Sequence, residues 1–429
     1  MRKILIVGAG YSGLTLAHKL LRGGYDVTVM TGRTSPEIRR GPTGVLAMTF
    51  PEVLAMERDA GLFFGQWEAA PTARGIHFSL RAPGMPAMEF GGVNAGGTSL
   101  AVESRLKMAD WLEAFEDQGG KVVVQGCSYS DLRFFTRMFD LVVIAVGSGE
   151  LGGLFDYDAS RSGGAHAGRI TQASLFGVEP NPDPAVRERG LEVVSVPGGG
   201  NIFIVPQLTV YGPATTIFAK GEIGEGLAWE DHERPRPGDP DAAQKRLDVL
   251  MGRLAQYAPD VAERCADSYL VDPNAVIMEE IKPQVRQPVA ELPEGGMVLG
   301  MADAVITVDP VSGQLHTNSA RCAQTYFDAI RAHGDRPFTA DWGREAFTSF
   351  WNEWGRFAAM FTDVFVVNFW DESNRPPHFP ALMEAVLTLP EIQDMWITGV
   401  CKPTELMWML DETECLGRIA AAKARAGLA

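Results

Sequence analysis

The sequence is short of positive charge. Its 429 residues include 38 lysines and arginines against 54 aspartates and glutamates, which gives a formal net charge of -16. A chain of this charge repels a phosphate backbone, and no local stripe of basic residues reverses the balance. The composition therefore excludes nucleic acid as a partner.

Cysteine is scarce, and histidine is scattered. No two of the seven histidines stand four residues apart, the spacing of a helical metal site. The cysteines form no CxxC pair, which disfavours both a metal knuckle and a disulfide framework. We predict no metal site and buried thiols at Cys127, Cys265, Cys322, Cys401 and Cys415.

Long apolar runs are also missing. The strongest candidate for a membrane span, residues 357–370, includes Asp363 and Asn368 and is shorter than the roughly 20 residues that a spanning helix needs. We predict a buried helix there and no membrane association. The N-terminus begins almost at once with a predicted strand and lacks the regions of a secretory signal. We expect a cytoplasmic protein and, at this size, a homodimer.

What the sequence does contain is the opening of a dinucleotide-binding domain. An apolar strand at residues 3–7, a helix and a second strand at residues 26–30 follow one another within about thirty residues, the length of a parallel crossover. Three glycines in the order G-x-G-x-x-G between the first strand and the helix let a pyrophosphate approach the helix N-terminus. The pattern predicts a Rossmann-type domain whose binding turn is Gly8, Gly10, Tyr11, Ser12 and Gly13.

The second strand lacks one expected residue. An acid usually stands about twenty positions after the glycines and holds a ribose hydroxyl, but this strand ends in Thr31, Gly32 and Arg33. Either Thr31 offers a hydroxyl to the cofactor and Arg33 a guanidinium to a phosphate, or both are plain loop residues. The sequence leaves these two interpretations open.

The remaining pattern divides the chain. Short β-rich runs from about residue 170 to 220 indicate an antiparallel second domain, and a strand at residues 297–300 returns to the first. An aromatic stripe from Phe347 to Phe365 is expected to pack in the core and to cap the second domain. The predicted α/β architecture is a split Rossmann-type domain at 1–168 and 292–335, an inserted antiparallel β-sheet domain at 169–291 and a helical C-terminal region at 336–429.

Several single residues stand where a cofactor would need them. Arg105 begins a helix at a point where its guanidinium can meet a diphosphate, unless it forms a surface salt bridge. Asp303 follows a strand and can accept hydrogen bonds from a ribityl chain. The turn at 309–314 can open a helix whose N–H groups face an anionic ring. His316, beside this turn, is a candidate for proton handling.

Together these motifs resemble the oxygenase components of styrene and indole monooxygenases. Val7–Gly13, the helix start at Arg105, the strand at 140–147 and the motifs at 300–303 and 307–314 follow the order and spacing of that family. The resemblance covers most of the chain and ends near residue 335. It implies a fold like that of the aromatic hydroxylases, with the glycine turn on the ADP half of FAD and Arg105 and Asp303 on its diphosphate and ribityl parts. It also implies a ring bordered by Pro310, Val311, Gly313 and Gln314, and a substrate pocket lined by Val45, Leu46, Ala47 and Val311.

The resemblance implies an activity as well. Reduced, diffusible FAD would come from an NADH-dependent flavin reductase, form a C4a-hydroperoxide with molecular oxygen and pass one oxygen atom to an electron-rich alkene or indole. The substrate would be a small apolar aromatic compound, and the reaction an epoxidation. Two departures from the family are visible: Leu315 replaces a usual glycine, and an asparagine expected near residues 44–46 is missing. Flavin geometry or substrate choice is expected to differ accordingly.

Other functions stay open at this point. A single-component NAD(P)H-dependent FAD hydroxylase or oxidase is disfavoured, because residues 145–150 read A-V-G-S-G-E and no D-G-x-x-S-x-x-R stretch follows the buried strand. A flavin halogenase is disfavoured because Trp351 and Trp354 occur as W-N-E-W instead of W-x-W-x-I-P. A non-catalytic flavin-fold protein that binds an apolar ligand remains an alternative because of Leu315.

Overall fold

The computed structural model of the chain describes residues 1–82, 84–147, 150–163, 167–293, 295–368 and 371–428. Its strands are β1 (Lys3–Val7), β2 (Asp26–Thr31), β3 (Thr72–Ala73), β4 (Gly75–Leu80), β5 (Met88–Val93), β6 (Ser99–Leu100), β7 (Lys121–Val124), β8 (Leu141–Ile144), β9 (Gly168–Phe176), β10 (Gly190–Val196), β11 (Gly200–Thr209), β12 (Gly212–Glu222), β13 (Tyr269–Leu270), β14 (Val276–Ile281), β15 (Gln284–Val285), β16 (Val289–Glu291), β17 (Met297–Gly300) and β18 (Ile306–Thr307).

The α-helices are α1 (Tyr11–Arg22), α2 (Ser35–Arg40), α3 (Pro51–Asp59), α4 (Ser104–Asp117), α5 (Tyr129–Met138), α6 (Pro184–Arg189), α7 (Ala242–Tyr257), α8 (Pro259–Arg264), α9 (Leu315–His333), α10 (Ala340–Phe350), α11 (Arg356–Phe361), α12 (Phe379–Thr388), α13 (Pro390–Cys401) and α14 (Glu412–Arg425). Two π-helical segments, Trp351–Gly355 and Thr362–Asn368, flank α11.

The first sheet has six strands in the order β16-β17-β8-β1-β2-β7. All neighbours are parallel except β16 and β17. Ile4, Leu5 and Ile6 of the central strand have no exposed surface, as expected for a parallel strand covered on both faces. The predicted Rossmann-type domain is confirmed, and its β1, β8 and β17 end at the same edge of the sheet.

The second sheet has eight strands. Seven follow the path β13-β9-β12-β11-β10-β4-β5, and β14 also pairs with β9. The described pairs are antiparallel except β10 with β4. The antiparallel second sheet is therefore present as predicted, but β4 and β5 come from residues 75–93, well before residue 169. The sequence pattern did not reveal this, because β4 finds its partner more than a hundred residues later.

The C-terminal helices pack on the far edge of the second sheet. The backbone of α13 approaches β5 so closely that a Cβ atom on Gly92 would lie 2.7 Å from the carbonyl carbon of Gln393. Asp394 accepts a hydrogen bond from the Val93 backbone N–H at 2.7 Å, and the Trp396 ring meets Phe90 edge to face. The helical region predicted after residue 335 thus closes one side of this sheet.

The aromatic stripe packs in two different cores. Phe347 and Phe350 are fully buried in the core of the first sheet, whereas Phe361 and Phe365 belong to the core between the second sheet and the C-terminal helices. Within the described ranges, no helix is both long enough and apolar enough to cross a membrane. The segment predicted as a buried helix is helical as far as it is described, while Phe369 and Trp370 lie outside the described residues.

The cysteines mostly follow the prediction. Four thiols are buried, and Cys127 is half-buried. Burial raises the pKa of Cys322 to about 12. Among the residues that the structure describes, no three His, Cys, Asp or Glu side chains are grouped closely enough to hold a metal ion.

Candidate cofactor and substrate site

The first part of the site is the glycine turn between β1 and α1. Gly8 has a φ of +119°, and a Cβ atom there would lie 2.5 Å from the carbonyl oxygen of Ala145. A Cβ atom on Gly13 would lie 2.1 Å from the carbonyl oxygen of Gly8. Gly10 precedes the helix and has no side chain to cap it, so the N–H groups that follow, including those of Tyr11 and Ser12, are available to an anion.

The second part is the turn after β17. Ala302 has a φ of +46° and is the only non-glycine residue with a positive φ in the described part of the chain. Asp303 follows it and faces Gly147, where a Cβ atom would lie 3.2 Å from Asp303 Oδ2. Asp303 as a whole is half-buried, but its Oδ1 is shielded from solvent and has no hydrogen-bond partner among the described residues. Burial raises the pKa of this carboxyl to about 6, and the nearby Arg286 opposes the shift.

The third part is the turn that leads into α9. Asp309 accepts a hydrogen bond from the Val311 backbone N–H at 3.1 Å and so caps the short 3-10 turn Pro310–Ser312. Gly313 then takes a φ of +69°, and α9 begins at Leu315. The predicted helix opening at this turn is therefore present.

Unsatisfied oxygens mark this stretch of the chain. Thr317 Oγ1 and Asn318 Oδ1, at the start of α9, are buried and, like Asp303 Oδ1, lack a partner within the residues that the structure describes. Buried polar atoms in folded proteins are nearly always hydrogen-bonded. Three such atoms between residues 303 and 318 indicate that a ligand rich in hydrogen-bond donors completes them, and a flavin dinucleotide with its ribityl hydroxyls fits this requirement.

The side chains of Gln314 and Leu315 both contact other parts of the protein. The Gln314 amide donates to the carbonyl oxygens of Ser312 at 3.1 Å and Val400 at 2.8 Å, which joins the turn to α13. The Leu315 side chain packs against the core of the first sheet. The side-chain N–H groups of Gln314 are therefore committed to protein acceptors, while its predicted position beside the ring stays a prediction.

Arg105 lies in a buried ion-pair network. Its side chain is 2% exposed, and its guanidinium donates to Glu103 at 2.5 Å, to Asp272 at 2.7 Å and to the carbonyl oxygen of Gly41 at 3.3 Å. The alternative of a surface salt bridge is therefore wrong. The predicted diphosphate contact remains a prediction, and any such contact shares the guanidinium with these three acceptors.

Thr31 and Arg33 close a local turn at the end of β2. Thr31 Oγ1 lies 3.3 Å from the backbone N–H of Arg33, which donates to it, and 3.2 Å from the Arg33 carbonyl oxygen. Thr31 is buried and Arg33 is exposed. The geometry matches the plain-loop interpretation, and a role in holding ribose or phosphate stays a prediction.

A buried charged network connects the starts of α1 and α9. Lys107 has no exposed surface, and its ammonium donates to both carboxylate oxygens of Glu57, at 2.8 and 3.1 Å, and to Thr49 Oγ1 at 3.1 Å. The Tyr11 hydroxyl donates to Glu57 at 2.5 Å, and the Tyr11 ring stacks on His316 with 4.0 Å between centroids. The network therefore holds the glycine turn and the turn before α9 to each other.

The same network reaches His316. Thr49 Oγ1, which accepts a hydrogen bond from Lys107, lies 2.9 Å from His316 Nδ1, and either atom can donate in this second hydrogen bond. Burial, and then the charge of Lys107, lower the pKa of His316 well below its ordinary value. The ring is therefore neutral at physiological pH, which disfavours a role as a general acid.

A cavity of about 420 Å³ lies beside the turn before α9. The Pro310–Gly313 segment forms part of its wall, and the second sheet and the C-terminal region supply most of the rest. The side chains that line it are mainly apolar and include Leu46, Phe203, Phe218, Phe361, Phe365 and Trp396. A volume of this size is ordinary for a small-molecule site.

The predicted pocket residues divide into two sets. Leu46 and Val311 line the cavity. Val45 and Ala47 do not belong to its described lining, and the residues that join Leu46 are Met48 and Phe50. The spacing of two is that of an extended segment, in which alternate side chains face opposite sides. Reading the segment with period two would have found Met48 and Phe50 from the sequence.

One ion pair stands in the cavity wall. Lys220 on β12 lies 2.5 Å from Asp309 Oδ2, and both side chains are buried. Because Asp309 also caps the turn before α9, this pair ties the second sheet to that turn. Neither this pair nor the Lys107 network was predicted. Two features of the sequence could have indicated them: Lys220 lies within a buried strand, and Lys107 lies among the buried residues of a helix.

The sequence is similar to those of styrene monooxygenases. A family profile described as "Styrene monooxygenase A putative substrate binding domain" matches residues 147–264. Styrene monooxygenase StyA of Pseudomonas fluorescens is 29% identical over 338 residues, 77% of this chain and 78% of that protein. A StyA of a Pseudomonas sp matches to the same extent.

Solved structures share the fold. The flavin-dependent brominase Bmp2 aligns with a TM-score of 0.65 and 12% identity over 99% of both chains. A mutant of the halogenase PltM in complex with FAD aligns with a TM-score of 0.61 and 13% identity, over 98% of this chain and 85% of that one. At these identities the likeness shows the fold alone and carries no halogenase activity over to this chain.

Proposed function

Since the chain is an FAD-dependent monooxygenase of the styrene monooxygenase family, we propose that it works with a separate NADH-dependent flavin reductase. Reduced FAD from that partner binds to this chain, and one atom of molecular oxygen is transferred to the double bond of an electron-rich alkene or of indole. The product is an epoxide. The substrate is a small, mostly apolar aromatic compound.

The observation that carries this proposal is the position of the cavity. The Pro310–Gly313 turn is part of the cavity wall and also leads into α9. The first residues of α9 carry buried oxygens that have no hydrogen-bond partner among the described residues. The site for a flavin ring and the site for an apolar molecule therefore share one turn. Residues 8–13 would hold the ADP half of the cofactor, and Asp303 would accept hydrogen bonds from its ribityl hydroxyls.

FAD, once reduced, supplies the electrons and activates oxygen, so the chain has no need of a catalytic triad. The apolar walls around Phe361 and Trp396 exclude water from the reacting atoms, which limits loss of the activated oxygen as hydrogen peroxide. The pair Lys220–Asp309 keeps the turn before α9 fixed to the second sheet. The protein's part is to position the substrate and to keep the site dry.

The proposal is tested with the purified chain and chemically reduced FAD, without any reductase. The two are mixed anaerobically with styrene or indole, and oxygen labelled with ¹⁸O is then admitted. We expect labelled epoxide or its rearrangement product and little hydrogen peroxide. Quantitative formation of hydrogen peroxide with unlabelled substrate would contradict oxygen transfer.

The need for a partner is tested separately. The chain with oxidised FAD and NADH or NADPH is expected to consume no reduced nicotinamide, and adding an NADH-dependent flavin reductase should restore turnover. Rapid NAD(P)H oxidation by the chain alone would instead establish a single-component hydroxylase or oxidase. Tight binding of styrene with no oxygen transfer under either condition would favour the ligand-binding alternative.

A further inference from the structure

Helices α1 and α9 lie side by side, and their N-termini are level. Three contacts join them: the Tyr11 ring stacks on His316, the Lys19 ammonium donates to Gln324 Oε1 at 2.7 Å, and a Cβ atom on Gly23 would lie 3.0 Å from Phe327 Cε2. The paired residues advance together along both helices, so the helices run parallel. The glycine turn and the turn before α9 therefore open next to each other.

Neither helix has a side-chain cap at its N-terminus. The N-cap residues are Gly10 for α1 and Gln314 for α9, and neither makes a capping hydrogen bond through a side chain. Two parallel helices also bring the positive ends of their dipoles together. A ligand with anionic or acceptor groups at two points can use both helix starts at once.

The buried charged network described above lies between these two helix starts and has two arms that meet at Lys107. One arm runs from the Lys107 ammonium through Glu57 to the hydroxyl of Tyr11, the first residue of α1. The other runs through Thr49 Oγ1 to His316 Nδ1 in the first turn of α9. Each link is a hydrogen bond of 2.5 to 3.1 Å. A single ammonium thus connects both helices.

The ammonium is held in one place. Lys107, Glu57 and Thr49 are all buried. Three aromatic rings surround the ammonium, with their centroids 5.3 to 5.5 Å away: Tyr11, Trp67 and Trp111. A shift of either helix start would take a hydrogen bond from a buried charge, which is strongly unfavourable. The network therefore opposes any change in the spacing of the two helix starts.

We propose that this network sets the spacing between the two halves of the FAD site, and that Lys107, Tyr11 and Thr49 are positioning residues for the cofactor. FAD joins AMP to FMN through its diphosphate. The joined molecule gains over its separate pieces only when both half-sites stand at the matching distance. This inference rests on the proposed function in placing FAD across the glycine turn and the turn before α9. It adds the element that fixes their separation.

The test compares FAD with its two fragments. The dissociation constants of AMP, FMN and oxidised FAD are measured by calorimetry on the whole chain. The product of the two fragment constants, divided by the constant of FAD, is the effective concentration that the joined ligand gains. This ratio reports the spacing of the half-sites, whereas each fragment constant reports one half-site alone.

Two variants each cut one arm and leave the buried Lys107–Glu57 ion pair in place. Thr49→Val removes the hydroxyl between Lys107 and His316 with little change of shape, and Tyr11→Phe removes only the hydroxyl that donates to Glu57. Thr216→Val is the matched control. Thr216 is as fully buried as Thr49, and its hydroxyl donates to Gln207 at 2.7 Å within the second sheet. Thermal melting checks that each variant is folded.

We expect the effective concentration to fall about tenfold in Thr49→Val and in Tyr11→Phe, because the helix starts can then shift against each other. AMP and FMN should each bind as they do to the wild type, and Thr216→Val should keep the wild-type ratio. A merely structural role gives the opposite sign. A variant that is partly unfolded weakens all three ligands by the same factor, which raises the ratio.

A ratio that is unchanged or raised in either variant would overturn the inference. Failure of AMP or FMN to bind to the wild type would overturn it as well, because the two turns would not be separate half-sites.

These measurements need neither reductase nor oxygen, so the two proposals can fail separately. If the ratio falls as expected but reduced FAD supports no oxygen transfer, the proposed function fails and the positioning role stands. If the wild type oxygenates its substrate and the ratio is the same in all variants, the function stands and the positioning role fails.

Discussion

The proposed cofactor turns and the proposed substrate cavity are built in contrasting ways. The cofactor turns depend on backbone geometry at Gly8 and Gly13 and on the buried charges of Lys107 and Glu57. The cavity depends on apolar side chains from segments far apart in the chain.

Under the proposed function, this contrast lets one scaffold combine a fixed reaction with an adjustable substrate. Glycine turns that admit no side chain and a network in which each charge has a partner tolerate few substitutions, because one loss leaves a clash or a buried charge. Apolar walls tolerate exchanges of similar volume at small cost. Substitutions in the cavity should therefore change the substrate, while substitutions at the cofactor turns should change stability or FAD affinity.

The largest expected effect is on the network beneath the cofactor turns. Lys107→Met leaves the Glu57 carboxylate buried without its cation, and we expect the free energy of unfolding to fall by about 3–5 kcal/mol. Urea denaturation measures this. Lys121→Met, which removes the exposed ion pair with Asp26, should cost at most about 1 kcal/mol. If both variants lost the same free energy of unfolding, the buried ion pair would stabilise the protein no more than the exposed one.

The glycine turn should control FAD affinity. Gly13→Ala places a Cβ atom 2.1 Å from the Gly8 carbonyl oxygen, and we expect the turn to shift and the dissociation constant of FAD to rise about a hundredfold, since the helix N-terminus no longer approaches the diphosphate. Flavin fluorescence titration measures the change. Gly252→Ala in α7 meets no atom within 4 Å and should bind FAD normally. Unchanged FAD affinity in Gly13→Ala would remove the turn from the cofactor site.

A cavity substitution should separate substrate from cofactor. Val366 lines the cavity and is half-buried, so Val366→Trp fills part of the space and should weaken indole binding roughly thirtyfold through overpacking. FAD affinity should stay the same. Leu387→Trp on the exposed face of α12 should change neither constant. Loss of FAD binding in Val366→Trp would mean that the two sites are not distinct.

The smallest expected effect is a pH dependence at Asp303. Its pKa of about 6 in the free protein should fall when ribityl hydroxyls donate to the carboxylate, so FAD binds better to the ionised form. The dissociation constant of FAD should then rise about tenfold from pH 7 to pH 5 and level off above pH 7. In Asp303→Asn it should be nearly independent of pH. An equal pH dependence in both proteins would assign the titration to another group.

The same carboxyl acts on stability with a definite sign. Burial raises the pKa of Asp303 in the folded state, so the folded protein binds this proton more tightly than the unfolded chain does. The resulting gain in the free energy of unfolding is fully present below the ordinary pKa of an aspartate. That contribution is lost as the pH rises through about 6. Thermal melting without FAD should therefore show a small decrease in stability between pH 4 and pH 7 that Asp303→Asn lacks.

Prediction from the sequence succeeded where the physical cause is local. The G-x-G-x-x-G turn, the parallel strand that precedes it and the helix opened at Pro310 each depend on a few adjacent residues, since glycine conformation and helix capping act over one turn. The family resemblance assigned residues 45–47 to the pocket, whereas only Leu46 of these three belongs to the described lining of the cavity, because side chains of an extended chain alternate between its two sides. For Arg105, prediction from the sequence weighed a surface salt bridge, although the guanidinium is buried.

The sequence by itself determined the Rossmann-type domain, the conformation of its glycine turn and the family resemblance. Only the tertiary structure decided which side chains share the cavity and that Lys107 and Glu57 join the starts of two helices. The physical reason is that the burial of a side chain depends on its contacts with many residues from distant segments of the chain. The pairing of β4 with β10 and the docking of α13 on β5 bring those segments together, and no short stretch of sequence records that they will meet.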